Sequence, residues 1–147
     1  MPAHSFEDIK KFVNLKEMTL PAGTSESAIE LVEKKFSITF PIFLKQWYLF
    51  TDGAVLNNGV MSFYKLENIF DKNRGLCVSW FSLGKDLFIA ESDGYKYEAD
   101  FYFLKVQNNP KDNCPVFAFN ADPTFTKEVS SDFYNFIEYI YGLQIKE

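Results

Sequence analysis

The chain has 147 residues, 47% of them hydrophobic and 18% aromatic, and it carries a formal net charge of −5. That length is enough to bury a core as one domain, 1–147, without disulfide or metal staples. The acidic balance argues against nucleic acid or an anionic membrane as its ligand.

Taken in order, Ser5 suits an N-cap, and Phe6, Ile9, Phe12 and Val13 follow at helical spacing to about Leu15. Leu20-Pro21-Ala22-Gly23 reads as a loop. A second helix starts at Thr24 or Ser25, buries Ala28, Ile29, Val32 and Phe36, and turns Glu30, Glu33, Lys34 and Lys35 to water. Pro41 suits the first position of a third helix, since its fixed φ is helical and the first turn has no use for its missing donor. Leu44, Trp47, Tyr48 and Thr51 make the apolar face of that helix, and Asp52-Gly53 ends it.

From Val55 the period changes. Asn57-Asn58-Gly59 predicts a hairpin turn into a strand over Val60–Phe63. Leu66–Phe70 reads as one helical turn, residues 71–75 as a loop and Leu76–Phe81 as a strand. Further strands are expected at Leu87–Ala90, Phe101–Val106 and Cys114–Phe119, with turns at 92–94 and 108–113 and a loop over 120–128. Ser130 or Ser131 then caps a last helix that buries Phe133, Phe136, Ile137, Ile140 and Tyr141 and stops at Gly142. Strands that follow one another by short turns, between helices at both ends, predict an α+β fold. Its antiparallel or mixed sheet has helices packed mainly on one face, with the helices in the N-terminal third and at the C-terminus.

The stretch Phe40-Pro41, Leu44, Trp47-Tyr48, Asp52-Gly53-Ala54 resembles the signature of the SUKH superfamily, in which Leu-Pro opens a helix and Asn-Gly-Gly closes it. The flanks agree: Ile29–Glu33 before it, Pro115-Val116-Phe117 and Ser131–Ile137 after it. The resemblance implies an α+β domain with a curved sheet. It also implies a role in protein binding, either as a bacterial immunity protein that neutralises a toxin or as a fungal-type regulator of cell-wall synthesis.

The side chains give little support to chemistry. His4 is the single histidine, and a nucleophilic triad needs a histidine held by its neighbours. Cys77 and Cys114 are isolated, which predicts buried free thiols and no zinc site; no glycine-rich phosphate loop occurs, and no cofactor is called for. Residues 1–85 hold 10 basic and 9 acidic side chains, whereas residues 86–147 hold 5 and 11, so the excess negative charge lies in the second part. Glu91, Asp93, Glu98 and Asp100, with Asp122 further on, are interleaved with Tyr95, Tyr97 and Tyr102. Tyrosine beside carboxylate is an anchor for lysine- and arginine-rich partners, and equally an ordinary outer strand face. The same carboxylates could form an acid–base dyad, which would require a pocket around two of them. Trp47 and Trp80 fall on apolar faces and are assigned to the core.

The expected protein is therefore a cytoplasmic, non-enzymatic binding domain for a basic toxin domain, monomeric or homodimeric. Its predicted contacts are Glu91, Asp93, Tyr95, Tyr97, Glu98, Asp100 and Asp122. A regulatory or scaffold module of the same fold, acting without a toxin, is the alternative.

Overall fold

The computed structural model describes residues 6–14, 20–56, 61–77, 81, 83, 85–92, 101–106, 115–119 and 126–138, with residues 12–14 and 56 described by backbone alone. In chain order these form α1 (Phe6–Asn14), α2 (Glu26–Phe36), α3 (Ile42–Phe50), β1 (Val55–Leu56), β2 (Met61–Phe63), α4 (Leu66–Leu76), β3 (Asp86–Ser92), β4 (Phe101–Lys105), β5 (Val116–Phe119) and β6 (Lys127–Ser130). A last helix, α5, covers residues 133–138. The fold is α+β, with helices towards both ends of the chain.

The described strands make one antiparallel meander in the order β1-β2-β3-β4-β5-β6, each paired with its sequence neighbour. The hairpin expected at residues 57–59 joins β1 to β2, with Val55 opposite Ser62 and Leu56 opposite Met61; the turn residues lie outside the described set. The register shifts between Phe88 and Ala90, and again between Val116 and Phe117. Bulges of this kind increase local twist and bend a strand.

Pairing sorts the side chains onto two faces, because successive residues alternate. Phe63 lies opposite Ala90, Ala90 opposite Tyr102, and Tyr102 opposite Ala118. These four share a buried face, on which Trp47 of α3 packs against Phe63 and Phe136 of α5 packs against Tyr102. The other face carries Phe88, Phe101, Phe103, Phe117 and Phe119, and Phe81 stacks on Phe119 with centroids 5.2 Å apart. Much of the aromatic excess is therefore used within the fold, on both sides of the sheet. Truncating one such ring to alanine in a core costs about 3–5 kcal/mol.

Local sequence explains the helix ends. The Ser25 side chain accepts from the Ala28 N–H and caps α2. Ser37 takes the left-handed conformation after α2 (φ 58°), with its N–H bonded to the Lys34 carbonyl and the Ile38 N–H bonded to the Glu33 carbonyl. That pair of bonds satisfies two carbonyls the helix end would otherwise leave open. Pro41 stands one position earlier than expected, as the extended residue before α3 (φ −55°, ψ 146°).

Several sequence expectations are corrected. Leu66–Leu76 is one continuous helix, so residues 71–75 are not a loop and Leu76 does not begin a strand. Leu66, Ile69 and Asn73 form its buried face, and a polar residue at the third position hid the helical period. Cys77 and Phe81 are described and are not in strand; residues 78–80, including Trp80, lie outside the described set. Lys127–Ser130 is a strand, so the loop expected over 120–128 ends sooner and Ser130 is not a cap. Asp132 caps α5 instead: its Oδ1 accepts from the Asn135 N–H at 2.7 Å. Tyr102 is fully buried against Phe136 and is not on an outer strand face. Glu33 does not face water, since its side chain is only 12% exposed.

Candidate functional site

The residues around α3 show what the signature stretch does. Phe40, Leu44, Trp47 and Tyr48 are all buried. The Tyr48 phenol donates to the Tyr64 carbonyl at 2.7 Å and ties α3 to the residue after β2. Phe40 N–H donates to Glu33 Oε2 at 2.6 Å, and Lys45 Nζ lies 3.5 Å from the same oxygen. Glu33 therefore fastens α2 to the start of α3.

The C-terminal end of α3 is held by the loop before α2. Thr24 N–H donates to the Tyr48 carbonyl at 2.9 Å, the Thr51 hydroxyl to the Pro21 carbonyl at 2.8 Å, and Asp52 N–H to the Ala22 carbonyl at 3.1 Å. Gly23 permits this approach: a Cβ there would sit 1.7 Å from the Leu49 carbonyl oxygen. Asp52 Oδ1 then accepts from the Leu66 N–H at 2.7 Å and caps α4 across fourteen residues of chain. Gly53 adopts φ +85°, where an L side chain is strained, and a Cβ would meet Lys65 Cγ at 2.5 Å. The stretch thus joins three helices and one loop.

A scan against protein-family models matches residues 23–139 to the SMI1 / KNR4 family (SUKH-1). The chain belongs to that family. A comparison with curated proteins gives no match. The geometry gives the signature stretch a structural meaning in this chain: Phe40, Leu44, Trp47 and Tyr48 fill the core, and Asp52 holds the start of α4.

Of the predicted contact residues, Glu91 is described; Asp93, Tyr95, Tyr97, Glu98, Asp100 and Asp122 lie outside the described residues, as do His4 and Cys114. Glu91 lies near the end of β3, opposite Ser62 on one side and Phe101 on the other. Its Oε1 lies 3.5 Å from Lys72 Nζ, and its Oε2 accepts from the Tyr64 phenol at 3.5 Å. Lys72 Nζ also lies 5.6 Å from the centre of the Tyr64 ring. Glu91 is therefore a half-buried member of a Lys72–Tyr64–Glu91 cluster, with part of its charge already answered.

Two phenols and one thiol near the frame, Tyr48, Tyr64 and Cys77, hold their protons more tightly than usual. Burial, and then the charge of Asp52, raises the Tyr48 phenol above the usual tyrosine range. Burial raises Tyr64 as well, followed by the repulsion and hydrogen bond of Glu91. Cys77 is a free, partly buried thiol, pushed up to about 11 by burial and then by Asp86. A thiol in that range is a poor nucleophile at neutral pH. Among the described residues no group of three or more His, Cys, Asp or Glu is placed to hold a metal ion. Among the same residues no helix is long and apolar enough to cross a membrane.

Proposed function

We propose that this SUKH-1 domain is a non-enzymatic, cytoplasmic immunity protein that neutralises a cognate toxin by binding it directly. The observation that carries this reading is the use made of the signature residues. Phe40, Leu44, Trp47 and Tyr48 are buried, and Asp52 and Thr51 are bonded to backbone, which leaves recognition to the outer surface. The acidic excess after residue 85 favours a basic toxin domain, steered by charge and occluded on contact. The contact surface in this reading is Glu91, Asp93, Tyr95, Tyr97, Glu98, Asp100 and Asp122.

The test is co-purification with the product of the adjacent gene, followed by charge reversal. Asp93, Glu98 and Asp100 are reversed together. Glu91 is changed separately, because its carboxylate also holds Lys72 and Tyr64. Loss of toxin affinity at low and moderate salt supports this surface, and unchanged affinity rejects it. A regulatory module of the same family, binding a cellular protein with no toxin, is the competing reading. A large toxin gene beside this one decides for the first.

A further inference from the structure

Between α2 and α3 lies a cleft of about 180 Å³, lined by Glu26, Ile29, Glu30, Glu33, Lys45 and Leu49. Small-molecule pockets run from about 300 to 1,000 Å³, so this one has room for a single side chain. Its walls differ in character. Glu26, Glu30 and Glu33 recur at helical spacing on α2, whereas Leu49 stands on α3 with 38% of its surface exposed. Ile42, one turn before Lys45 on the same face of α3, is 48% exposed. Leu49 thus stands open in the cleft beside an acidic wall, and Ile42 is exposed further along the same face of α3.

The charges of that wall are not balanced. Lys45 is engaged by Glu33, which also accepts the Phe40 N–H. Glu26 and Glu30, one turn apart, hold no ion pair among the described residues, and Lys34 does not pair with Glu30. Apolar carbon across the cleft from two open carboxylates matches an amphipathic cation, whose methylene stem covers carbon while its charged head reaches oxygen. Arginine fits best, because its planar fork can bond two carboxylate groups at once.

We propose that the α2–α3 cleft docks one arginine side chain, flanked by apolar residues, from a partner protein. The flanking residues cover Leu49 and Ile42, and the guanidinium sits between Glu26 and Glu30. The inference rests on the reading of this chain as a protein-binding domain, but it places a contact on α2 and α3 rather than at Glu91 on β3.

The test is a titration of the ¹⁵N-labelled chain with a short capped peptide carrying one arginine between two leucines, and with its uncharged citrulline analogue. The expected result is shifts of the Glu26, Glu30 and Leu49 amides with the arginine peptide, and binding at least tenfold weaker with citrulline. The double variant Glu26→Gln/Glu30→Gln keeps the native spectrum and loses at least tenfold in affinity. Shifts centred elsewhere, such as at Glu91, equal binding of the two peptides, or no shift at millimolar peptide would overturn the proposal. The citrulline comparison uses the unaltered chain, so it stands even if the double variant misfolds. A negative peptide result with a positive toxin result removes the cleft alone; the reverse removes the toxin reading alone.

Discussion

Asn73 and Phe88 exchange two hydrogen bonds through the Asn73 side chain: its Oδ1 accepts the Phe88 N–H at 2.6 Å and its Nδ2 donates to the Phe88 carbonyl at 2.9 Å. The second Nδ2 hydrogen goes to the Ile69 carbonyl at 2.8 Å. β2 ends at Phe63, opposite Ala90, so among the described residues no strand lies beside that edge of β3 at Phe88. The carboxamide takes that place and fastens α4 to the sheet. A buried polar side chain is tolerated here because its donors and its acceptor oxygen all find partners.

Replacing Asn73 with alanine strands the Phe88 N–H and carbonyl in the interior, at about 1–3 kcal/mol each. Stability should fall by about 2–6 kcal/mol in urea denaturation, with the m-value unchanged. Asn73→Asp should be no better, since it keeps the acceptor and turns carboxylate oxygen towards two carbonyls.

Asp52 tests the cap that spans two helices. Asp52→Ala removes the acceptor for Leu66 N–H and should cost about 0.5–2 kcal/mol. Asp52→Asn keeps a side-chain oxygen there and carries the residue of the SUKH signature, so its midpoint should stay close to that of the parent chain. Equal losses for the two variants would show that the hydrogen bond is not what Asp52 contributes.

Two glycines should rank in a defined order. Gly23→Ala drives a Cβ into the Leu49 backbone, which cannot give way without moving α3. Gly53→Ala meets the flexible Lys65 side chain and adds the strain of φ +85°, about 1–2 kcal/mol. Thermal denaturation should place Gly53→Ala between the parent chain and Gly23→Ala.

The raised phenols predict alkaline lability. In the unfolded chain Tyr48 and Tyr64 ionise near the ordinary value of about 10, whereas in the folded chain both ionise higher. The native state therefore keeps protons that the unfolded state has released, so stability is full below about pH 10 and falls as pH rises above it. Each such group adds a slope of about 1.4 kcal/mol per pH unit in that range. Tyr64→Phe should flatten the decline, as read by denaturation midpoints between pH 9 and 11. The raised Cys77 thiol should likewise react slowly with a thiol reagent at pH 8 until urea opens the chain.

How far the fold was legible follows from which signals were local. α2, α3 and the β1–β2 hairpin announced themselves through Ser25, the Leu44–Trp47–Tyr48 spacing and Asn57-Asn58-Gly59. α4 did not, because the residue that breaks its apolar period, Asn73, is satisfied by a strand fifteen residues away. Glu33 looked like a surface charge for the same reason: its partners, Phe40 and Lys45, come from the next element. β6 was hidden because Lys127-Glu128 carries exposed charge on an edge strand, where charge guards against further pairing. At the candidate site, the acidic character of Glu91 was visible in sequence, but its engagement by Lys72 and Tyr64 was not, since α4 and the residue after β2 bring them there.

The measurement that bears most directly on the protein-binding account is a calorimetric titration of this chain with the purified product of the adjacent gene, at low and moderate salt. The account predicts saturable one-to-one binding that weakens with salt and abolishes the partner's toxicity. Absence of binding at both salt concentrations, or a toxin that stays fully active when saturated with the chain, would contradict it.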